Sequence, residues 1–214
     1  MKRLGIFGGT FNPPHWGHLH IAEAAVHQGH LDRVLWVPAV MPPHRVPQEL
    51  VAIAHRVEMV KRAIAPYPAF ELCLVEPEFP NAPSYAIDLF HQLQQSFISN
   101  CDETDPADPQ WFWIIGQDAF STLPRWYRRQ ELIPRCLWLV APRPSAATSI
   151  AVAPPQTVAQ LLQAEGIPIR WQMLDLLPMT LASSQIRQLR GDRRPIYSLV
   201  PAAVHHYIEE KGLY

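Results

Sequence analysis

The sequence has no excess charge of either sign, because 18 Lys and Arg residues balance 19 Asp and Glu residues and leave a formal net charge of −1. Proteins that hold nucleic acid or an anionic membrane by charge alone need a broad positive surface, which this composition does not offer. A small anionic ligand stays compatible with it, because one local pocket is enough. We therefore expect neither a nucleic-acid nor a membrane partner.

Cysteine is scarce and long apolar runs are missing. The three cysteines, Cys73, Cys101 and Cys136, are far apart and form no CxxC pair, which argues against a disulfide framework and a cysteine zinc site. No apolar run approaches the roughly 20 residues that span a bilayer, and the first residues begin a strand pattern rather than a secretory signal. These absences predict a cytoplasmic protein in a reducing environment.

Proline, in contrast, is abundant. The chain has 23 prolines among 214 residues, and many of them stand at predicted turns, which they stiffen. A stretch rich in Pro, Ala, Ser and Thr over 142–155 predicts a surface loop. With 48% hydrophobic residues, the chain is long enough for one well-filled core. We predict a single domain over 1–214 and leave the oligomeric state open, a homo-oligomer included.

Hydrophobic periodicity alternates between strands and helices along the chain. The predicted strands cover 4–7, 33–40, 70–75, 111–115, 136–141 and 170–176. The predicted helices cover 18–28, 51–65, 84–97, 183–189 and 201–211, and Gly212 is a stop signal. This alternation is typical of an α/β protein with a Rossmann-like open, mostly parallel sheet and helices on both faces. Three tryptophans in these strands are expected in the core, namely Trp111, Trp113 and Trp138.

One segment carries most of the chemical information, and we name residues 8–18 the glycine–histidine turn. Its sequence, GGTFNPPHWGH, joins the first strand to the first helix. Glycines let a backbone approach a ligand closely, and a new helix offers N–H groups and a positive dipole end to an anion. His15 and His18 can share one helix face and donate to phosphoryl oxygens. The turn therefore predicts a phosphate site, where parallel sheets place their ligands.

Two other interpretations of the histidine pair stay open. Histidines three residues apart are compatible with a metal site, although the sequence offers no obvious third ligand. They are equally compatible with surface or capping positions. The two common nucleotide-binding motifs do not apply, because the turn lacks the Lys-Ser/Thr of a Walker loop and the spacing of GxGxxG.

The turn closely resembles the (H/T)xGH signature of a nucleotidyltransferase superfamily, in the version seen in bacterial nicotinate-nucleotide adenylyltransferases. Further segments are similar to that family, in the same order along the chain. They are PPHR at 42–45, HR at 55–56, PSYAID at 83–88, IGQD at 115–118, LPRW at 123–126, SSQIR at 183–187, LVP at 199–201 and LY at 213–214. The resemblance thus extends over the whole chain. Phosphopantetheine adenylyl and glycerol- or choline-phosphate cytidylyl transferases share the first motif, but the PSYAID and LPRW segments have no place in them.

The resemblance implies transfer of AMP from ATP to nicotinate mononucleotide, giving nicotinate adenine dinucleotide and pyrophosphate. A direct transfer of this kind depends on positioning and charge stabilisation, and Mg²⁺ would be held by triphosphate oxygens and water. His18 is implied to stabilise the α-phosphoryl charge, with His15 on the phosphates beside it. The backbone groups implied in phosphate binding are those of Gly8, Gly9, Thr10 and Phe11.

The resemblance implies a second set of phosphate-binding side chains at the start of a C-terminal helix. They are Ser183, Ser184 and Arg187, and we name them the serine–arginine clamp. A guanidinium matches phosphate oxygens in a fork. Serines that open a helix can also cap it, and we expect the clamp serines to do both.

Three further residues carry a plain alternative beside the implied role. Arg45 would add charge over the β- and γ-phosphates or be a solvated loop cation. Asp118, which follows Gly116, would bind a nucleotide ribose or form a turn. The Phe11 side chain has simple packing as its alternative.

The acceptor is implied to bind around Ser84, Tyr85 and Ala86, with the ring of Trp126 as a platform for the pyridine. Ala86 departs from the family, which often has threonine near the nicotinate carboxylate. An enzyme that takes nicotinamide mononucleotide, or both mononucleotides, therefore stays an alternative. A non-catalytic nucleotide-binding protein on the same scaffold is the alternative from a different class.

Overall fold

Six parallel strands form one sheet in a computed structural model that describes residues 1–41, 50–75, 84–99, 108–142, 153–177 and 179–214. The strands are β1 (Arg3–Gly9), β2 (Arg33–Pro38), β3 (Phe70–Leu72), β4 (Gln110–Gly116), β5 (Cys136–Ala141) and β6 (Arg170–Met173). Their order is β3-β2-β1-β4-β5-β6, and each neighbouring pair is parallel. The predicted Rossmann-like α/β fold is confirmed.

Eight α-helices connect and flank these strands within the described residues. They are α1 (Trp16–Gly29), α2 (Ile53–Ile64), α3 (Ala86–Ser99), α4 (Gln117–Phe120), α5 (Arg129–Leu132), α6 (Pro155–Ala164), α7 (Ser183–Gly191) and α8 (Ala202–Lys211). The five predicted helices are confirmed with ends shifted by a few residues, and α8 ends at Gly212 in the left-handed region (φ 60°), as a helix stop requires. The sequence analysis did not predict α4, α5 and α6, because four residues are too few to show a period and α6 follows a proline-rich segment.

The predicted loop at 142–155 needs one correction. Pro155 is the first residue of α6, where its missing N–H would have no helical partner, so the loop ends before it. Residues 143–152 lie outside the described part of the chain.

Hydrophobic side chains fill both faces of the sheet. Along β4, Phe112 and Ile114 point to one face while Trp111, Trp113 and Ile115 point to the other, as alternation along a strand demands. The first face is covered by α1, α2, α7 and α8, and the second by α3, α4, α5 and α6. Trp111, Trp113 and Trp138 are buried, as predicted. Within the described residues, no helix is both long enough and apolar enough to cross a bilayer.

This arrangement decides where a ligand can bind. The strand order reverses between β1 and β4, and their carboxyl ends carry the glycine–histidine turn and Gly116. Parallel sheets bind ligands at such a switch point. Because α1, α7 and α8 share one face, the end of the chain is brought back beside its beginning.

Candidate active site

The glycine–histidine turn folds over an aromatic cluster. Phe11 has a left-handed backbone (φ 48°) that turns its ring under the segment. That ring is buried, and its centroid lies 5.6 Å from Phe7, 5.1 Å from Trp36 and 5.1 Å from His18. The side chain of Phe11 therefore serves packing, and only its backbone is available for the expected phosphate contact.

The two histidines hold each other in one geometry at the start of α1. His15 is the N-cap residue, and its backbone N–H donates to Nδ1 of His18 over 3.2 Å. The two imidazole rings lie 3.7 Å apart between centroids at an angle of 31°. Because Nδ1 of His18 accepts this hydrogen bond, neutral His18 carries its proton on Nε2. Nε2–H is then the donor that His18 presents to a ligand.

Both imidazoles are neutral at pH 7. Burial lowers the pKa of His15 to about 4. Burial and the neighbouring His15 lower the pKa of His18 well below its usual value, although the residue as a whole is only half-buried. The pair therefore offers hydrogen-bond donors rather than standing positive charges to an incoming anion.

The glycine between the histidines packs tightly against the ring of His15. A Cβ atom at Gly17 would lie 3.0 Å from Nδ1 of His15 and 3.1 Å from its Cε1. Nδ1 of His15 is buried and has no hydrogen-bond partner among the described residues. The metal interpretation finds no support in the described ranges, where no three His, Cys, Asp or Glu side chains converge on one point.

The serine–arginine clamp lies directly against the glycine–histidine turn. Oγ of Ser183 donates to the carbonyl of Pro13 over 2.8 Å, and a terminal guanidinium nitrogen of Arg187 donates to the carbonyl of Asn12 over 3.0 Å. The first pair is 170 positions apart along the chain. The fold thus joins the two segments that are predicted to bind phosphate. The Arg187 guanidinium has five N–H donors, and the hydrogen bond to Asn12 uses one of them.

One expectation about the clamp is wrong. Ser183 is the first helical residue of α7, and Ala182 holds the N-cap position without a side-chain cap. Ser183 instead binds the Pro13 carbonyl, because the glycine–histidine turn lies beside it. Ser184 is exposed. The serines therefore do not cap the helix.

Gly8 and Gly116 stand at the ends of the two central strands with space above them. Neither has a positive φ, and a Cβ atom added at either one would meet nothing within 4 Å. At Gly9, in contrast, a Cβ atom would lie 2.8 Å from the ring of Phe11. The protein's own packing explains Gly9 but leaves Gly8 and Gly116 unexplained, which is typical of a backbone that a ligand approaches. Asp118 is exposed beside them in the first turn of α4.

The predicted acceptor residues gather at the start of α3 and after β4. The rings of Tyr85 and Tyr127 lie 4.7 Å apart between centroids. The indole of Trp126 is edge-on to Trp113 at 6.1 Å, and its N–H donates to Thr122 Oγ1 over 2.8 Å.

The remaining acceptor residues sit close to that group. Ser84 exchanges two hydrogen bonds with the backbone of Met41, and Ala86 is the first residue of α3. Arg45 and Pro83 lie outside the described residues.

The sequence analysis missed a buried cation below the site. Arg56 is 1% exposed, and its guanidinium donates to four carbonyls, those of Thr10, Ala39, Val40 and Val51, over 2.6–3.2 Å. It therefore ties the segments after β1 and β2 to α2. The available signal was the HR pair at 55–56, which is part of the family resemblance.

Three other residues near the site were also missed. Asn12 is 2% exposed inside the turn, and its Oδ1 accepts a 2.7 Å hydrogen bond from Tyr214 Oη. Tyr127, 55% exposed, lies beside the predicted acceptor residues. An exposed aromatic next to the Trp126 motif was the only sequence signal for Tyr127.

Known proteins with similar sequences extend over the whole of this chain. The family described as cytidylyltransferase-like matches residues 6–189. A probable nicotinate-nucleotide adenylyltransferase of Trichormus variabilis is 41% identical over 216 residues, covering 100% of this chain and 98% of the relative. The nicotinate-nucleotide adenylyltransferase of Bacillus subtilis is 36% identical over 214 residues, covering 100% and 99%.

A solved structure has the same fold. Plasmodium falciparum nicotinic acid mononucleotide adenylyltransferase complexed with NaAD superposes with a TM-score of 0.74, covering 100% of this chain and 98% of that one. Its 13% sequence identity supports a common fold and nothing finer.

Proposed function

Because this chain belongs to the nicotinate-nucleotide adenylyltransferase family, we propose that it transfers AMP from ATP to nicotinate mononucleotide. The products are nicotinate adenine dinucleotide and pyrophosphate, a step of NAD biosynthesis. The observation that carries the proposal is the pair of hydrogen bonds from Ser183 and Arg187 to the glycine–histidine turn. These bonds support the proposal because they hold the two segments that are proposed to bind phosphate against each other.

The proposed chemistry is an in-line displacement at the α-phosphorus of ATP. A phosphate oxygen of the mononucleotide forms the new P–O bond while the bond to the β-phosphate oxygen breaks and pyrophosphate leaves. The Nε2–H of His18 donates to an α-phosphoryl oxygen as charge builds there, and His15 holds the neighbouring phosphates. Arg187 neutralises charge on the same side. Preorganised donors of this kind lower the barrier without a covalent intermediate.

The backbone of the turn supplies the remaining phosphate contacts in this proposal. Gly8, Gly9, Thr10 and Phe11 lead into α1, whose first N–H groups and positive dipole end favour an anion. Gly116 and Asp118 take the ribose side, at the end of the neighbouring strand.

Mg²⁺ is proposed to arrive with ATP. The side chains around the turn are imidazoles, hydroxyls and guanidinium groups, which do not suit a hard dication that prefers carboxylate and water oxygens. The proposal therefore assigns Mg²⁺ to phosphate oxygens and water, where it would neutralise phosphate charge.

At the acceptor end, the face of Trp126 is proposed to carry the pyridine ring, beside Ser84 and Tyr85. Ala86 offers only backbone groups at the start of α3, since its methyl group cannot donate to a carboxylate. For this reason the choice between nicotinate and nicotinamide mononucleotide is the part of the proposal that most needs a direct comparison of the two substrates. Arg45 remains a prediction for the β- and γ-phosphates.

The deciding experiment measures pyrophosphate release with ATP, Mg²⁺ and either nicotinate or nicotinamide mononucleotide. We expect a higher kcat/KM for nicotinate mononucleotide, and much slower release when CTP replaces ATP. A clear preference for the nicotinamide form would overturn the nicotinate assignment. No release with either mononucleotide would favour the non-catalytic binding protein.

We also propose that the chain works as one cytoplasmic nucleotidyltransferase domain. All six described strands share one sheet, and Cys73 and Cys136 are free thiols. Both observations support the proposal. A homo-oligomer stays a prediction that size measurement in solution would test.

A further inference from the structure

We propose that Tyr214 is a positioning residue for AMP transfer, acting through Asn12 on the glycine–histidine turn and on Arg187. This inference rests on the proposed function, because it concerns the same reaction. Tyr214 Oη donates to Asn12 Oδ1 over 2.7 Å, and it does so from beyond the last helix of the chain.

Two consecutive residues of the turn receive three hydrogen bonds from the C-terminal part of the chain. The side chain of Asn12 accepts from Tyr214, its carbonyl accepts from Arg187, and the carbonyl of Pro13 accepts from Ser183. Ser183 and Arg187 belong to the serine–arginine clamp, whereas Tyr214 lies outside the clamp and donates to the turn. The hydrogen bond from Tyr214 therefore orients Asn12, whose carbonyl accepts the hydrogen bond from Arg187.

Burial makes this hydrogen bond matter. Asn12 is 2% exposed, so water cannot freely replace the donor that its Oδ1 would lose, and the loss of a buried hydrogen bond is costly. Without the phenol, the Asn12 side chain would turn toward another donor and shift the carbonyl that binds Arg187. A displacement of about 1 Å in a positioning group can reduce a rate by roughly 10²-fold.

Tyr214 is itself held in place. After Gly212 ends α8, the N–H of Leu213 donates to the carbonyl of Ile208 over 3.1 Å, and the side chain of Leu213 is buried. Burial raises the pKa of the Tyr214 phenol above its usual value, against the opposing effect of Arg187 and Arg56. The hydroxyl therefore stays protonated and remains a donor at physiological pH.

The chain offers a matched control in Tyr207, which lies on α8. Its hydroxyl is hydrogen-bonded to Nδ1 of His55 over 2.9 Å, so Tyr207→Phe also deletes one partly buried hydroxyl contact. This contact joins α8 to α2 and includes no residue of the turn. Both variants keep the aromatic ring, and neither is expected to prevent folding.

The experiment compares Tyr214→Phe with Tyr207→Phe in steady-state pyrophosphate release and in thermal unfolding. We expect Tyr214→Phe to lower kcat about tenfold with an unchanged KM for the mononucleotide, while both variants lose similar thermal stability. Equal kcat values in the two variants would overturn the inference. The unaltered protein, run in the same assay, tests the proposed function separately: its failure to release pyrophosphate would overturn both proposals, whereas activity with equal variants would overturn this one alone.

A second measurement asks whether Tyr214 acts through Arg187. In an Arg187→Lys background, which keeps the charge but loses the fork, Tyr214→Phe should lower kcat by clearly less than in the unaltered protein, because coupled residues are non-additive. Equal fold-losses in both backgrounds would show that Tyr214 acts independently of Arg187 and would contradict the inference.

Discussion

At the scale of single residues, the histidine pair shows how packing orients the donor that is proposed to act in catalysis. The backbone of His15 accounts for Nδ1 of His18, and Gly17 leaves room for the ring of His15. The conformations of His15 and His18 therefore depend on each other and on the small residue between them. The tautomer of His18 is set before any ligand arrives, so that binding needs no proton rearrangement at that ring.

His18→Ala should lower kcat by roughly 10²–10³, by analogy with the loss of one preorganised oxyanion donor, with little change in thermal stability. Pyrophosphate release in steady state is the measurement. His20→Ala is the control, because His20 is an exposed histidine on the same helix, and its activity should match the unaltered protein. Unchanged turnover in His18→Ala would remove this residue from the mechanism.

Two glycine substitutions should separate packing from ligand approach. Gly8→Ala should leave thermal unfolding unchanged, since its Cβ meets nothing within 4 Å, but should raise the KM for ATP about tenfold, equivalent to about 1.4 kcal/mol of binding. Gly17→Ala should instead destabilise the fold by about 1–3 kcal/mol, as overpacking does, because its Cβ meets His15 at 3.0 Å. An unaltered KM in Gly8→Ala would contradict ligand approach at that strand end.

At the scale of elements, the site is assembled by ties between segments rather than by one rigid element. Arg56 on α2 holds the carbonyls that follow β1 and β2, and the start of α7 holds those of Asn12 and Pro13. Carbonyls at strand ends leave the sheet ladder and need new donors. Arginine can serve several of them at once, because its five N–H groups form a fixed fork.

Arg56→Met should lower the free energy of unfolding by about 3 kcal/mol, because several buried carbonyls lose their donor. Chemical denaturation would measure this loss, and activity should fall with it as the turn loosens. Arg62→Met on the same helix is the control: Arg62 makes a half-exposed ion pair with Glu58 and lies 4.5 Å from the ring centroid of Tyr207, and contacts of these kinds contribute about 1 kcal/mol or less each. Similar losses in the two variants would mean that the carbonyl ties are unimportant.

At the scale of the whole molecule, the buried histidines link stability to pH. The pKa of His15 is about 4 in the folded protein against 6.5 for an ordinary histidine. As pH falls below 6.5, the unfolded chain takes up a proton that the folded chain refuses. The stabilisation is therefore complete above pH 6.5 and is lost progressively between pH 6.5 and about 4.

The unaltered protein should lose about 2 kcal/mol of stability between pH 7 and pH 5 through His15 alone. His15→Gln should lose correspondingly less over the same interval, because glutamine does not titrate. Denaturation curves at the two pH values in both proteins would measure the difference. Identical pH dependence in the two proteins would mean that His15 titrates normally in the folded state.

The amino-acid pattern alone predicted the fold class, and it singled out the two segments that are proposed to bind phosphate. Strands such as Trp111–Ile115 were recognisable because a parallel sheet covered on both faces demands continuous apolar runs. The glycine–histidine turn was recognisable because its glycines and histidines are close together in the sequence and directly follow a strand, so that no distant residue was needed to predict a phosphate site there. Short helices such as α4 and α5 were not, since four residues cannot display a period.

The way in which these parts meet depends on contacts between distant segments of the chain. Arg56, Asn12 and Tyr214 are ordinary residues in their own segments, and their importance comes from burial and from partners up to 202 positions away. The tautomer of His18 and the failure of the clamp serines to cap α7 likewise depend on which carbonyl or N–H lies opposite. Hydrogen bonding is short-ranged and directional, so its pattern between distant segments is decided only when the sheet has brought both ends of the chain together.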